Sequence, residues 1–514
     1  MDSNLTFLPF LFQIRNMNYA IIAAGEGSRL RQEGILIAKP LIQIGDNEPL
    51  LGRLLRIFCE NKAEHIAVIC NEQSPQVEHF LREQKSLLQK KNIQLHILVR
   101  STPSSSHSLE ALSQIIPQQP FILTTVDTVF YEQDFRMYRK AFEYEHAHGC
   151  HAFMGVTTFC DDEKPLYISL QENNLITAFT DEQPAGHYAI SAGIYGLTPE
   201  TIPVLHRCIQ EGQSRMRNFQ RSLITAGLCV KAYNLHEVFD IDHASDIAKA
   251  QQHNFKLEDA RRVLILQREP LYSPGAVEKD VTLTQTLCGV LSCHHFDARI
   301  ILSDEKLIAD KHTLVLSMRR GSEALKELMS VQEKGILVVN SPDGVQLCGQ
   351  RMQLHAEMKA FGLPLPEEGN REQVWLKNGD SWTTTPNDVV FCSTEADWLQ
   401  AQTLFKERGV KHILQQEHIE GRLLKCYVVG KHFFYAYDTQ NHTTYPFTQN
   451  HPQLKAQIID FASTIGIEIF GVDIIINQEV HPFVIDFNDF PSFYPCREQA
   501  AIAMVQLINS KTTT

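Results

Sequence analysis

The sequence predicts an α/β chain in two halves, a parallel-type sheet covered by helices followed by a mixed α+β half. Three observations predict it. From residue 18 to about 250, apolar β-branched runs alternate with stretches of helical period. A polar segment over 251–261 then interrupts the pattern, and a new strand starts at 263. Beyond 374, short hairpin-like runs replace the regular alternation.

Taken in order, Met17 directly precedes the first strong strand, so residues 1–16 read as an extension outside the folded core. Strands are expected over 19–24, 65–70, 94–99, 121–125 and 152–158, inside a first domain spanning 17–255. The second half opens with a small α/β unit over 262–340, with strands near 263–266, 300–302 and 336–339. Over 341–510, runs at 374–377, 412–417, 423–429 and 432–437 precede a helix near 453–465 and two strands around 471–477 and 482–488. There is no tandem repeat, and the Ser-rich tract at 101–108 is short.

A length of 514 residues exceeds what one core usually organises. The formal net charge of -13 argues against nucleic-acid binding, which demands a concentrated basic face. Twelve cysteines without paired short spacings fit reduced, buried thiols and a cytoplasmic protein. Cys288, Cys293, His294 and His295 lie close in sequence but lack a second ligand pair, and ordinary packing is the better reading. The apolar stretch over 5–12 is too short to span a bilayer and lacks the basic flank of a signal peptide.

The segment Ala23-Ala24-Gly25-Glu26-Gly27-Ser28-Arg29-Leu30 follows a buried strand, where unpaired backbone N–H groups can cradle a triphosphate. Arg29 and the Lys39-Pro40 pair add cations suited to phosphate. Taken alone, such a glycine loop fits a dinucleotide-binding or purely structural loop equally well. Asp127 strengthens the first reading, because it ends an apolar run at the carboxyl edge of the sheet, where α/β folds bind ligands. Phe239-Asp240-Ile241-Asp242-His243 offers a second acidic pair before a helix, and hard-oxygen ligands of this kind suit Mg2+. For Asp246, helix capping is the simpler role.

Together these residues resemble the nucleotidyltransferases that activate sugar or alcohol phosphates, over about residues 18–250. The resemblance implies a Rossmann-like domain with a mixed sheet. It also implies catalytic roles for Arg29, Lys39 and Asp127, nucleotide contacts at Ala24, Gly25, Gly27 and Ser108, and acceptor contacts at Ser191 and Gly193. The metal ligands it implies are Asp127 and Asp242, with Asp240 as the alternative to Asp242. The loop carrying Gln32, Glu33 and Gly34, and the segment around Ser108, depart from the thymidylyl and uridylyl patterns; the nucleobase stays open, with CTP slightly favoured.

In the second half, Gly471-Val472-Asp473 and Val484-Ile485-Asp486-Phe487-Asn488 read as neighbouring strands whose alternation sends Asp486 and Asn488 to one face. Carboxylates inside such apolar strands need cationic partners, and with Asp473 they offer oxygen ligands for Mg2+ on ATP. Lys377 ends a strand, and Gln416-Glu417-His418-Ile419-Glu420-Gly421 forms a strand-to-turn segment. This arrangement resembles the ATP-grasp superfamily over about 262–508, and its ending looks most like inositol polyphosphate kinases. The resemblance implies nucleotide contacts at Lys377, Glu417, Ile419 and Glu420, and metal ligands at Asp473, Asp486 and Asn488. Lys425 is assigned to phosphate or acceptor, with a solvated surface lysine as an equal reading.

The expectation is a bifunctional enzyme. One half would transfer a nucleotidyl group from NTP to a sugar or polyol phosphate, releasing pyrophosphate; the other would phosphorylate a small polyol or sugar hydroxyl with ATP. A carboxylate–amine ligase in place of the kinase, or one half inactive and regulatory, are the alternatives. Homo-oligomerisation and the acceptor's identity stay open.

Overall fold

The computed structural model describes residues 16–45, 48–158, 165–253, 255 and 261–512. The expected extension over 1–16 therefore falls, apart from Asn16, outside the described residues, as does most of the polar segment over 251–261. The chain divides into two compact units, Met1–Ala260 and Arg261–Thr514.

The first unit is built on a nine-stranded mixed sheet. At its centre Met17–Ala23 is buried at every position and pairs in parallel with both Ala63–Cys70 and Phe121–Thr125. Beyond Ala63–Cys70 lies Gln94–Val99, also parallel. On the other side Tyr188–Leu197 joins Phe121–Thr125 antiparallel and pairs in turn with Ala152–Thr157 and Tyr167–Leu170. Val230–Asn234 closes one branch and Ile176–Thr180 the other. The chain leaves the central strand toward one side first and the other later. A crevice opens at such a reversal, at the carboxyl ends of the strands.

Helices cover the faces for reasons visible in their residues. Leu50–Glu60 buries Leu50, Leu51, Leu54, Leu55, Ile57 and Phe58, an apolar stripe of helical period. Glu132–Ala147 carries Glu132 and Asp134 in its first turn, where the helix dipole favours negative charge. Tyr19 stacks on Phe58 with centroids 4.2 Å apart, and its hydroxyl donates to the Asn61 carbonyl, so this buried phenol is satisfied.

In the second unit, Arg262–Leu266 lies between Asp297–Ile301 and Thr313–Ser317, with Leu337–Val339 outside, all parallel. Val374–Asn378 then forms the centre of a three-stranded antiparallel sheet with Val389–Cys392 and Ile413–Glu417. The helix Glu395–Glu407, capped by Thr394 and Asp397, packs against it through Ala401 and Phe405. A five-stranded antiparallel sheet follows, ordered Thr443–Thr444, Phe433–Asp438, Gly421–Val429, Ile469–Asn477, Pro482–Asp489. Its inner face joins the helix Pro452–Thr464 in one apolar core containing Leu424, Cys426, Ile458, Phe461, Val472 and Phe487.

Candidate active sites in the two units

In the first unit, three carboxylates converge at the carboxyl edge. Asp127 follows the strand Phe121–Thr125, and Asp240 and Asp242 end and follow Val238–Asp240, which pairs antiparallel with Thr128–Phe130. This small ribbon brings the two acidic stretches together. One ligand oxygen from each of Asp127, Asp240 and Asp242 lies within 4.8 Å of the others.

Lys39 reaches into this cluster. Its Nζ is 2.6 Å from Asp127 Oδ2 and 2.8 Å from Asp242 Oδ1, and its side chain is only 9% exposed. Burial alone would favour neutral lysine, but the two carboxylates outweigh it and hold the ammonium above its usual range. Burial likewise works to raise the Asp242 carboxyl; the hydrogen bond and charge of Lys39, helped by Arg29, bring it below its usual range. Arg29 Nη1 lies 2.6 Å from Asp242 Oδ2.

The loop joining Arg29 to Lys39 is tied down by a contact that no local motif predicts. Glu33 accepts hydrogen bonds from Ala244 N at 2.7 Å and from His243 Nδ1 at 2.5 Å, fastening the glycine-rich segment to the start of the helix Ala244–Gln252. Asp246 accepts from the His243 and Asp242 backbone N–H groups, the capping role expected of it. Gly27 adopts φ +60, with Lys39 Cβ 3.6 Å from where its own Cβ would stand. Only glycine takes that backbone cheaply.

The remaining first-unit candidates occupy different surroundings. The Ala24 carbonyl accepts from Asn71 Nδ2, and Gly25 has open space where a Cβ would be. Gly193 adopts φ +72 with its Cβ position 2.6 Å from Thr128 Oγ1, so a close approach fixes it as glycine. Ser191 Oγ accepts from Gln220 Nε2 at 3.2 Å. Ser108 is 1% exposed within the helix Ser105–Ser113, its hydroxyl 2.6 Å from Thr102 Oγ1. It therefore faces the interior and ties the start of this helix to the segment before it.

In the second unit, Asp473 and Asp486 stand opposite each other on paired strands, with Asn488 two residues further on. Asn488 Nδ2 donates to Asp486 Oδ2 at 3.2 Å. Lys425 Nζ lies 3.8 Å from Asp473 Oδ2, and Arg351 Nε, which the sequence reading did not single out, lies 3.8 Å from Asp486 Oδ1. Burial pushes the Asp473 carboxyl up to about 6; Lys425 opposes this and the neighbouring Asp486 adds to it. Arg351 and Lys377 offset burial at Asp486 and hold it below its usual range. Two carboxylates facing each other across paired strands with incomplete compensation make a donor set that fits a hard dication.

Lys377 is 6% exposed and donates from Nζ to the Ile485 carbonyl at 2.6 Å, which ties the three-stranded sheet to the strand carrying Asp486. Burial holds this amine below its usual range. The turn after Ile413–Glu417 is partly committed: Glu417 N donates to the Glu367 carbonyl and His418 N to the Gln373 carbonyl, both at 2.8 Å. Those two N–H groups are not available to a base, which leaves Ile419 and the exposed Glu420 as the free part of the expected readout.

Residues 19–254 match the nucleotidyl transferase family, and the first unit is accordingly a nucleotidyl transferase domain. No curated protein matches the chain. Among solved structures, the chain is similar to the inositol-1-phosphate CTP transferase from T. maritima, at 15% identity over 45% of this chain and 91% of that one, with a TM-score of 0.37. It is also similar to the UTP-bound UGPase from Acinetobacter baumannii, at 15% identity over 46% of this chain and 93% of that one, TM-score 0.39. A UDP-glucose pyrophosphorylase complexed with UDP-glucose matches at 16% identity over 46% and 97%, TM-score 0.39. Among the described residues no helix is long and apolar enough to cross a membrane.

Proposed function

We propose that the first unit transfers a nucleotidyl group from an NTP, with CTP slightly favoured, to the phosphate of a sugar or polyol, releasing pyrophosphate. The observation carrying this reading is Lys39 bridging Asp127 and Asp242 beside a third carboxylate, Asp240, and next to the glycine-rich loop. The all-oxygen donor set of Asp127 and Asp242, with Asp240 within reach, fits Mg2+, which when bound supplies charge neutralisation on the NTP phosphates.

In this reading a phosphate oxygen of the acceptor attacks the α-phosphorus in line, the bond to the β-phosphate oxygen breaks, and pyrophosphate leaves. The chain's own residues contribute position and charge. Arg29 and Lys39 present cations to the phosphates, the N–H groups around Gly25 and Gly27 face them, and Ser191 and Gly193 border the acceptor. No residue need move a proton, because the attacking phosphate is already ionised at neutral pH. Pyrophosphate release measured for each NTP against a panel of sugar and polyol phosphates tests the proposal. Asp127→Asn should abolish the signal with every pair, and turnover retained in that variant would remove the assigned role.

For the second unit we infer an ATP-grasp kinase acting on a polyol or sugar hydroxyl, because buried Lys377 donates to the Ile485 carbonyl on the strand carrying Asp486 and feels the charges of Asp486 and Asp473. Lys377 would contact nucleotide phosphate, the 417–420 turn would border adenine and ribose, and Lys425 would meet the transferred phosphoryl group. The two activities are chemically compatible, since a phosphate ester made by one is the substrate class of the other. ADP formation with polyols, set against consumption of carboxylate and amine pairs, separates kinase from ligase. Separate Asp127→Ala and Asp473→Ala variants should abolish different activities; a variant that leaves all turnover intact identifies that unit as regulatory.

A further inference from the structure

The helix Ser28–Gln32, which carries Arg29, is five residues long and buries one residue, Leu30. A helix this short does not hold itself in water and depends on outside contacts. The loop that follows lends it little packing, since Leu36 and Ile37 are 84% and 60% exposed. Its backbone closes onto Glu33, whose N–H donates to the Arg29 carbonyl at 3.1 Å.

Arg29 and Glu33 stand four residues apart, on one helix face, and both reach the acidic arm of the site. Arg29 Nη1 meets Asp242 Oδ2 at 2.6 Å. Glu33 accepts from His243 Nδ1 and Ala244 N, one and two residues further along that arm. Ala244 opens the helix Ala244–Gln252, so its N–H is one of the donors that a helix start leaves without an internal partner, and negative charge is favoured there. From its own first turn Asp246 accepts from the Asp242 and His243 N–H groups. The backbone that presents Asp242 is thus held by Asp246 on its own helix and by Glu33 across the site.

The two bridges from the short helix are not equivalent. In the nucleotidyl-transfer reading Arg29 faces the NTP phosphates and Asp242 is a metal ligand, so both partners of the first bridge are claimed by other groups during turnover. Glu33, His243 and the Ala244 N–H have no part in that chemistry, and their bridge can stay closed throughout.

We propose that Glu33 is a positioning residue for nucleotidyl transfer: its bridge to His243 and Ala244 keeps the Arg29 helix in register with the Asp240–Asp242 arm once the Arg29–Asp242 pair opens. Glu33 acts through Arg29, whose place against the phosphates depends on that register. The role of Arg29 rests on the nucleotidyl-transfer reading; the bridge itself does not.

Amide hydrogen exchange over residues 28–35 of the full chain, with and without Mg2+ alone, follows the register without any turnover. With Mg2+ present, Glu33→Ala should exchange about tenfold faster than the parent, the scale of losing charge-assisted contacts. Without Mg2+ the factor should be smaller, because Arg29 still holds Asp242. Glu33→Gln keeps an acceptor for the Ala244 N–H and should restore most of the protection. In pyrophosphate-release assays Glu33→Ala should lower kcat about tenfold and change the KM for NTP less than about twofold, because the Gly25 and Gly27 N–H groups and Lys39 still meet the bound nucleotide. Glu33→Gln should recover most of that loss. Parent-like exchange in Glu33→Ala, an equal factor with and without Mg2+, a loss confined to KM, or faster exchange with unchanged kcat each overturns the positioning role. If Asp127→Asn keeps turnover, or the parent turns over no NTP and acceptor pair, the nucleotidyl-transfer reading fails, and the exchange result alone decides whether Glu33 holds the helix.

Discussion

Replacing Lys39 by Met removes an ammonium while nearly preserving side-chain volume. Two charge-assisted hydrogen bonds disappear, to Asp127 and Asp242, each worth about 1.5–3 kcal/mol net. The carboxylates then repel: with oxygens within 4.8 Å of one another, one pair at an effective dielectric of about 20 costs roughly 3.5 kcal/mol. Asp242 is 37% exposed, so solvent screening halves this to roughly 1.7 kcal/mol. Part of the repulsion is relieved by proton uptake and by side-chain motion, which leaves a net destabilisation of about 2–4 kcal/mol without metal.

Spectroscopy separates this from changes in the second unit, because Trp375, Trp382 and Trp398 are the chain's three tryptophans and all lie there. Far-ultraviolet circular dichroism follows both units; tryptophan fluorescence follows one. Lys39→Met should lower the dichroism transition and leave the fluorescence transition in place. Saturating Mg2+ should then stabilise the variant more than the parent, because a dication restores positive charge among carboxylates that have lost theirs. Pyrophosphate release should fall by a factor of about 10² or more, the scale of losing one charge stabiliser of the transition state. A variant as stable as the parent without metal, or equal Mg2+ stabilisation of the two, would refute the reasoning.

Asp473 titrates at about 6 in the folded protein, above the unfolded carboxyl. The folded state therefore binds that proton more tightly, and the stabilisation it contributes is fully present below about pH 4 and lost as pH rises through about 6. Asp473→Asn should accordingly stabilise the fluorescence transition by about 2–3 kcal/mol at pH 7 and by little at pH 4, while abolishing Mg·ATP-dependent stabilisation. Gly193→Ala places a Cβ 2.6 Å from Thr128 Oγ1 at φ +72; a loss of about 2–4 kcal/mol is expected in dichroism melts. Arg320→Met strands the buried Asp489 carboxylate and should cost about 3–5 kcal/mol in urea unfolding, most of it recovered when Asp489→Leu is added.

Most parallel strands of the two units could be read from the chain because apolar β-branched runs such as Phe121–Thr125 and Arg262–Leu266 are bounded by polar turns, but Val230–Asn234 and Thr313–Ser317 are not among the expected strands. Tyr188–Leu197 carries the mixed part of the first sheet, but its Ala, Gly and Ser residues dilute the period of two, and only a stretch of it could be singled out. Its short neighbours Tyr167–Leu170 and Ile176–Thr180 left no run to read. Lys39, Asp127 and Asp242 each belong to a local motif, which is why residues up to 203 apart could be named for one site. Glu33 and Arg351 could not be named. Glu33 meets His243 across 210 residues through one exposed contact, and Arg351 sits in an ordinary amphipathic helix, Arg351–Phe361. Ser108 could be picked out from its Ser-rich tract, but its burial against Thr102 could not, since burial is set by how the helix packs.

The two carboxylate clusters resolve the same electrostatic problem in different ways, and this bears on how each would use metal. In the first unit a nearly buried lysine already lies between Asp127 and Asp242, and Arg29 closes the outer side. That cluster is held in place by fixed cations before any ligand arrives. In the second unit the nearest side-chain cations, Lys425 and Arg351, stand off at 3.8 Å, and Asp473 keeps an affinity for protons well above that of an ordinary carboxylate. Metal binding there must displace a proton, so its affinity should rise about tenfold per pH unit below pH 6 and level off above it. No such proton stands in the way at Asp242, which is held below its usual range. Titrating Mg2+ at pH 5 and pH 7.5 with tryptophan fluorescence for the second unit, and with difference dichroism for the first, separates the cases. A flat pH dependence in the second unit would mean that Asp473 is not among the ligands.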